Sequence, residues 1–171
     1  MNSFRFSVFI RLMEEKKIKK ILDPQQALVR AQKYCAYQER SQQEVRDKLY
    51  SFGLHKGDVE NTIAELITSG FLKEERFANA FAGGKFRMKG WGRIKIKLAL
   101  QQKKVSDNLI KQALKSIDER DYERELKKLI AEKSRKTIEK NPLKKKYKVA
   151  QYIISRGFEA ELVWQLLNDR D

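Results

Sequence analysis

One apolar spacing recurs three times along this chain. Val45, Leu49, Gly53 and Leu54 are separated by four, four and one residues. Ile96, Leu100, Lys104 and Val105 follow the same rule, and so do Val149, Ile153, Gly157 and Phe158. Steps of four place side chains on one helix face, and a glycine before the last apolar residue marks a helix end. Another apolar residue follows each set four or five positions on: Val59, Leu109 and Leu162. A helical unit of roughly 45–50 residues buries little core alone, so copies must stack.

The start and stop signals divide each copy into three helices. Asp23-Pro24 opens the first with a carboxylate N-cap and a proline at N1, where no amide hydrogen is needed. Its apolar stripe is Ala27, Leu28, Ala31, Tyr34 and Cys35. Ser41-Gln42-Gln43-Glu44 is a capping box, and the helix it opens stops at Gly53. A third helix from about Asp58 carries Val59, Ile63, Leu66 and Ile67 to Gly70. The cycle restarts near Lys73 with Phe77, Ala80 and Phe81, and Gly83-Gly84 weakens that helix toward its end at Met88. The next helices begin after Gly90-Trp91-Gly92 and at Ser106-Asp107. In the last copy, helices begin near Glu119, at Asn141-Pro142 and near Ala160.

Arg93 to Leu100 alternates charged and apolar residues with period two, the template of a strand. The recurrence decides for helix, with Ile96 and Leu100 inward. Ile94 and Leu98 are then left on a flank, expected against a neighbouring unit. The expected fold is all-α, with three tandem three-helix repeats in an elongated, curved array. Residues 23–69, 70–117 and 118–171 are the repeats, and 1–22 are an N-terminal extension, disordered or partly artefactual. Within that extension Phe4, Phe6 and Val8 alternate like a short strand, and Met13 is an alternative natural start. Only 2 prolines and 8 glycines suit a helical chain better than a many-stranded one.

Several chemistries are excluded by residue counts. The single Cys35 cannot form an internal disulfide, and with the single His55 it cannot make a Cys/His zinc site. Gly83-Gly84-Lys85 lacks the spacing of a phosphate-binding P-loop. Glu74-Glu75 and Asp118/Glu119/Asp121 stand at helix starts, where carboxylates complement the helix dipole. The expectation is a non-enzyme with no catalytic residues, no metal and no cofactor. No apolar run approaches the roughly 18 residues of a membrane span, and the N-terminal stretch is broken by Arg5 and Arg11. The expected location is the cytoplasm, away from membranes.

Charge is the positive signal. Lys plus Arg number 38 against 23 Asp plus Glu, a net charge of +15. From Arg76 to Ser106 there is no acidic residue. A one-signed run of this kind points to a polyanionic partner, against the alternative of a solvated helix face. The candidate contacts are Lys85, Arg87, Lys89, Trp91, Arg93, Lys95 and Lys97, with Lys144, Lys145 and Arg156 further on. Gly90-Trp91-Gly92-Arg93 immediately precedes a helix, whose open amides favour an anion. Trp91 either stacks on a base or packs against the preceding helix. Arg76 is expected to pair with Glu74 or Glu75.

Gly70-Phe71-Leu72, Arg76-Phe77-Ala78 and Lys89-Gly90-Trp91-Gly92, with Ile96 and Leu100, resemble the central signature of the RecX family. Ser41-Gln42-Gln43-Glu44-Val45 with Leu49 and Gly53 is similar to that family's first repeat, and Arg156-Gly157-Phe158 to its third. The resemblance covers about residues 24–169 and departs at two points. Lys73 stands where the family is usually acidic, and Lys104 where it has glycine. The resemblance implies a non-enzymatic, monomeric regulator that binds RecA filaments and modulates filament growth, ATP hydrolysis and strand exchange. It implies contact with single-stranded DNA, directly or through RecA, and with double-stranded DNA in some members. The other readings are a general DNA-binding module independent of RecA and a helical adaptor for another protein.

Overall fold

The computed structural model describes residues 21–169. The strand-like Phe4–Val8 stretch and the alternative start at Met13 lie outside the described residues. Within them are nine α-helices and no strand. The first three are α1 (Pro24–Tyr37), α2 (Gln42–Ser51) and α3 (Lys56–Thr68). Then come α4 (Glu74–Lys89), α5 (Arg93–Gln102) and α6 (Asp107–Lys115). The last three are α7 (Glu119–Lys136), α8 (Pro142–Ser155) and α9 (Ala160–Asn168). Each consecutive set of three packs internally, giving an all-α repeat array.

The caps act as their residue types demand. The Asp23 carboxylate accepts from the Gln25 amide at 3.1 Å, and Asn141 accepts from the Lys144 amide at 3.0 Å. Ser41 and Glu44 form both halves of the capping box, at 3.1 and 3.0 Å. The α4 helix runs through Gly83-Gly84 to Lys89, one residue past the expected end at Met88. Gly83 is buried there, and the Arg87 guanidinium lies over it.

The repeat register has an inner logic. Val45, Leu49, Ile96, Leu100, Ile153 and Phe158 have no exposed surface. The apolar residue that follows each set inward is Val59, Ile110 and Val163, always five positions after Leu54, Val105 and Phe158. The expected Leu109 and Leu162 lie one position earlier in sequence and are only half-buried. A step of five crosses the helix end and the next N-cap, so helical spacing does not apply there. Ile94 and Leu98, expected against a neighbouring unit, are instead 46% and 55% exposed.

The core divides unequally. One cluster runs from Leu22 to Leu72 and the other from Phe77 to Leu167. The second and third units therefore share a continuous core, while the first keeps its own. Leu72 packs into the first unit's core, with its amide bonded to the Leu66 carbonyl at 3.0 Å. Ile21 and Leu22 are structural too: the Leu22 amide donates to the Phe52 carbonyl at 3.0 Å, and Ile21 lies against Gly53.

At the helix end that closes the repeated motif, Gly53 and Gly157 adopt φ of +86° and +90°. Lys104 holds the same place with φ of +58°, the one positive value on a non-glycine residue among those described. A Cβ in the left-handed region crowds the following carbonyl. Lys104→Gly is expected to raise stability by about 1 kcal/mol, read as a higher urea midpoint with unchanged slope.

Candidate partner interface

Some of the basic and aromatic residues of the second unit gather at its joint with the third. Two glycines make that joint. A Cβ on Gly92 would lie 2.2 Å from the Gly157 carbonyl carbon, and one on Gly157 would lie 2.3 Å from the Lys95 Cβ. With no side chains between them, the backbones bond directly. The Gly92 amide donates to the Arg156 carbonyl at 2.9 Å, and the Ile94 amide to the Gly157 carbonyl at 3.0 Å. Between these two, the Arg93 amide donates to the Tyr122 hydroxyl at 3.1 Å. Tyr122 in turn donates to a Glu159 carboxylate oxygen at 2.6 Å. Burial, and then the bond to Glu159, hold the Tyr122 phenol well above its ordinary range. Its ring links those of Phe86 and Phe158, at centroid distances of 5.7 and 5.1 Å, so the shared core passes through the joint.

This geometry corrects the expected anion site. The first amides of α5 are occupied by carbonyls and a phenol of the third unit, not open to a phosphate. Trp91 is half-buried and packs on the core, with the Lys85 and Lys95 ammonium groups each 5.0 Å from its ring. The Arg93 guanidinium pairs with Glu119 and lies 4.0 Å from the Tyr122 ring centre. That pairing raises the Arg93 pKa. Arg156 donates to the carbonyls of Lys89 and Gly90 and so caps the end of α4. Trp91, Arg93, Lys95 and Arg156 thus belong to the joint, while Lys85 lies over Phe81 and Trp91 of its own unit. Arg87, Lys89, Lys97 and Lys144 are exposed, and Lys145 lines a groove at the start of α8.

The residues that sequence reasoning missed are Tyr122, Glu119 and Glu159. A signal was present: Tyr122 is a hydroxyl-bearing ring on an otherwise aliphatic stripe with Leu126 and Ile130, and a buried tyrosine needs a partner. Among the described residues no group of three or more His, Cys, Asp or Glu is placed to hold a metal, and no helix is long and apolar enough to cross a membrane.

Comparison with known proteins fixes the relationship. The first three-helix domain of RecX matches residues 27–66, and the second three-helix domain matches residues 74–114. A regulatory protein RecX of Thermotoga maritima is 30% identical over 154 residues, covering 90% of this chain and 89% of that protein. This chain belongs to the RecX family. A Prosthecochloris aestuarii regulatory protein RecX is 29% identical over 153 residues, 86% of this chain and 95% of that one. The Clostridium tetani protein of the same name is 33% identical over 141 residues, but the chain spans only 64% of its length. The crystal structure of RecX from Lactobacillus salivarius superposes with a TM-score of 0.78 over 85% of this chain and 95% of the other, at 22% identity, a likeness of fold.

Against this RecX scaffold the first joint is built differently. Lys104 stands where Gly157 stands in the third unit, and a side chain bars the same close approach. Apart from the turn at Gly70–Leu72, where the chain passes from one unit to the next, no backbone–backbone hydrogen bond among the described residues links the first unit to the second. The amide of Ser41, the register equivalent of Gly92, bonds instead to Glu44. Side chains hold this joint. Lys103 meets Glu44 at 2.7 Å and lies over Phe77 and Phe81, 5.8 and 5.7 Å from their centres. Arg76 pairs with Glu39 at 2.8 Å, not with Glu74 or Glu75, and also donates to the Gly70 carbonyl at 3.0 Å.

Two outcomes test the contrast. Gly157→Ala is expected to cost roughly 2–5 kcal/mol, from the left-handed backbone and the clash with Lys95, measured by chemical denaturation. At the first joint, burial pushes the Glu44 carboxyl up, but Lys103 and the Ser41 amide outweigh it and hold it below its ordinary value. The pair's contribution is therefore full above the unfolded carboxylate pKa of about 4.3 and lost as pH falls through the lower folded value. The difference in melting temperature between the parent and Glu44→Gln is expected to be largest near neutrality and to shrink toward zero in acid.

Proposed function

We propose that this chain is a non-enzymatic cytoplasmic regulator that binds RecA filaments on single-stranded DNA and modulates their growth, ATP hydrolysis and strand exchange. The observation that carries the reading is membership of the RecX family, whose relatives are named regulatory proteins. The scaffold supports it physically. The second and third units form one body with a common core, and exposed cations stand along it at Arg87, Lys89, Lys97 and Lys144. A body of this kind presents charge at fixed separations, which suits a repeating polyanionic track better than a small substrate. The protein acts as a monomer in this reading, with DNA touched directly or through RecA.

A second reading rests on the net charge of +15: a DNA-binding module that acts without RecA. RecA dependence separates the two. Added at saturation to RecA on single-stranded DNA, the protein is expected to change the rate of ATP hydrolysis and the length of filaments; no change in either overturns the regulator reading. Joint replacement of Arg87, Lys89, Lys97 and Lys144 by Ala is expected to weaken this effect while leaving melting intact. Each phosphate contact so removed lowers the salt slope of DNA binding by about 0.7. Replacing Arg93 and Arg156, which tie the joint together, lowers melting instead.

A further inference from the structure

The third unit carries an open groove of about 460 Å³, bounded by the last turns of α7, the start of α8 and α9. Pro142, Leu143, Val149 and Leu167 give it an apolar lining, and Lys145 stands among them. Leu143 is 63% exposed although it lies on the first turn of a helix.

The repeat register says what this place is. Aligning Val149 with Ile96 puts Lys145 where Gly92 stands and Tyr147 where Ile94 stands. In the second unit those two positions hold the following unit by their amides. The groove is therefore at the edge where a further unit would seat. The seat is altered. A Cβ at Gly92 would run into the next backbone at 2.2 Å, so a lysine in its place bars the same stacking. The Lys145 amide is also taken, donating to the Asn141 carbonyl at 2.9 Å. A second copy of this chain cannot add itself in the geometry of the internal joint.

The remaining chemistry selects the occupant. An apolar floor wants a side chain, and Lys145 in the lining wants a carboxylate beside it. Nucleic acid fits less well, because bases stack on aromatic rings and the groove is lined by none. We propose that this groove docks an acidic protein segment, which lays an apolar side chain on Leu143, Val149 and Leu167 while a carboxylate meets Lys145. The inference concerns the chemistry of the segment and stands apart from the RecA reading.

The test uses the full-length protein, isotopically labelled, without RecA. Three probes are titrated: a short synthetic peptide alternating Asp and Glu with Leu, the same peptide with every Leu replaced by Ser, and single-stranded oligo(dT). The leucine peptide is expected to move the amides of residues 143–149 and Leu167, and the serine peptide to bind at least about tenfold more weakly. Leu143→Ser is expected to lower affinity for the leucine peptide about tenfold while melting stays at the parental value, because the side chain is exposed. Lys145→Glu is expected to weaken the same peptide further. Equal binding of the two peptides, equal shifts of these amides by oligo(dT), shifts centred elsewhere, or an unaffected Leu143→Ser protein would each overturn the proposal.

Discussion

At the joint between the second and third units two backbones approach so closely that neither can carry a side chain. Gly92 and Gly157 permit this, and much of the molecule's order follows from it. The approach brings amides and carbonyls of different units into bonding range, and those bonds occupy helix-end groups that would otherwise need solvent or a ligand. It also brings α7 near enough for Tyr122 to reach the start of α5, so that one buried ring joins two units through its edges and its hydroxyl. A hydrogen-bonded tyrosine in a dry joint fixes angle as well as distance.

The first joint shows what happens when the glycine is absent. With Lys104 at the equivalent position, the units stay apart by at least a side chain, and ion pairs do the holding. Half-exposed ion pairs are individually weak and sensitive to salt. The array therefore has one joint closed by backbone bonds and a shared core and one held by side-chain pairs, and the difference traces to the residue at one repeat position.

Much of this was legible in the residues. The spacing of Val45 and Leu49, Ile96 and Leu100, and Val149 and Ile153 carried the helices and their number, even where Arg93–Leu100 read locally as a strand. Caps were equally readable, because Asp23-Pro24, Ser41–Glu44 and Asn141-Pro142 act on their own helix. The site was less legible. Arg93, Lys95 and Arg156 look the same in sequence as Arg87, Lys89 and Lys97, since a cation that closes a joint and one that faces solvent have the same composition and spacing. The partners of the two arginines, Glu119 and Tyr122 for Arg93 and Gly90 for Arg156, are far away along the chain, and only folding brings them near.

Local physics thus determined the helices, their caps, the repeat and the buried stripe, because each depends on residues within a turn or two of one another. The tertiary structure decided which units share a core, which cations are spent on structure, and that the start of α5 is closed to an anion. Those outcomes depend on whether two backbones from distant stretches can touch. That was written in single atoms: the absence of a Cβ at Gly92 and Gly157, and its presence at Lys104 and Lys145.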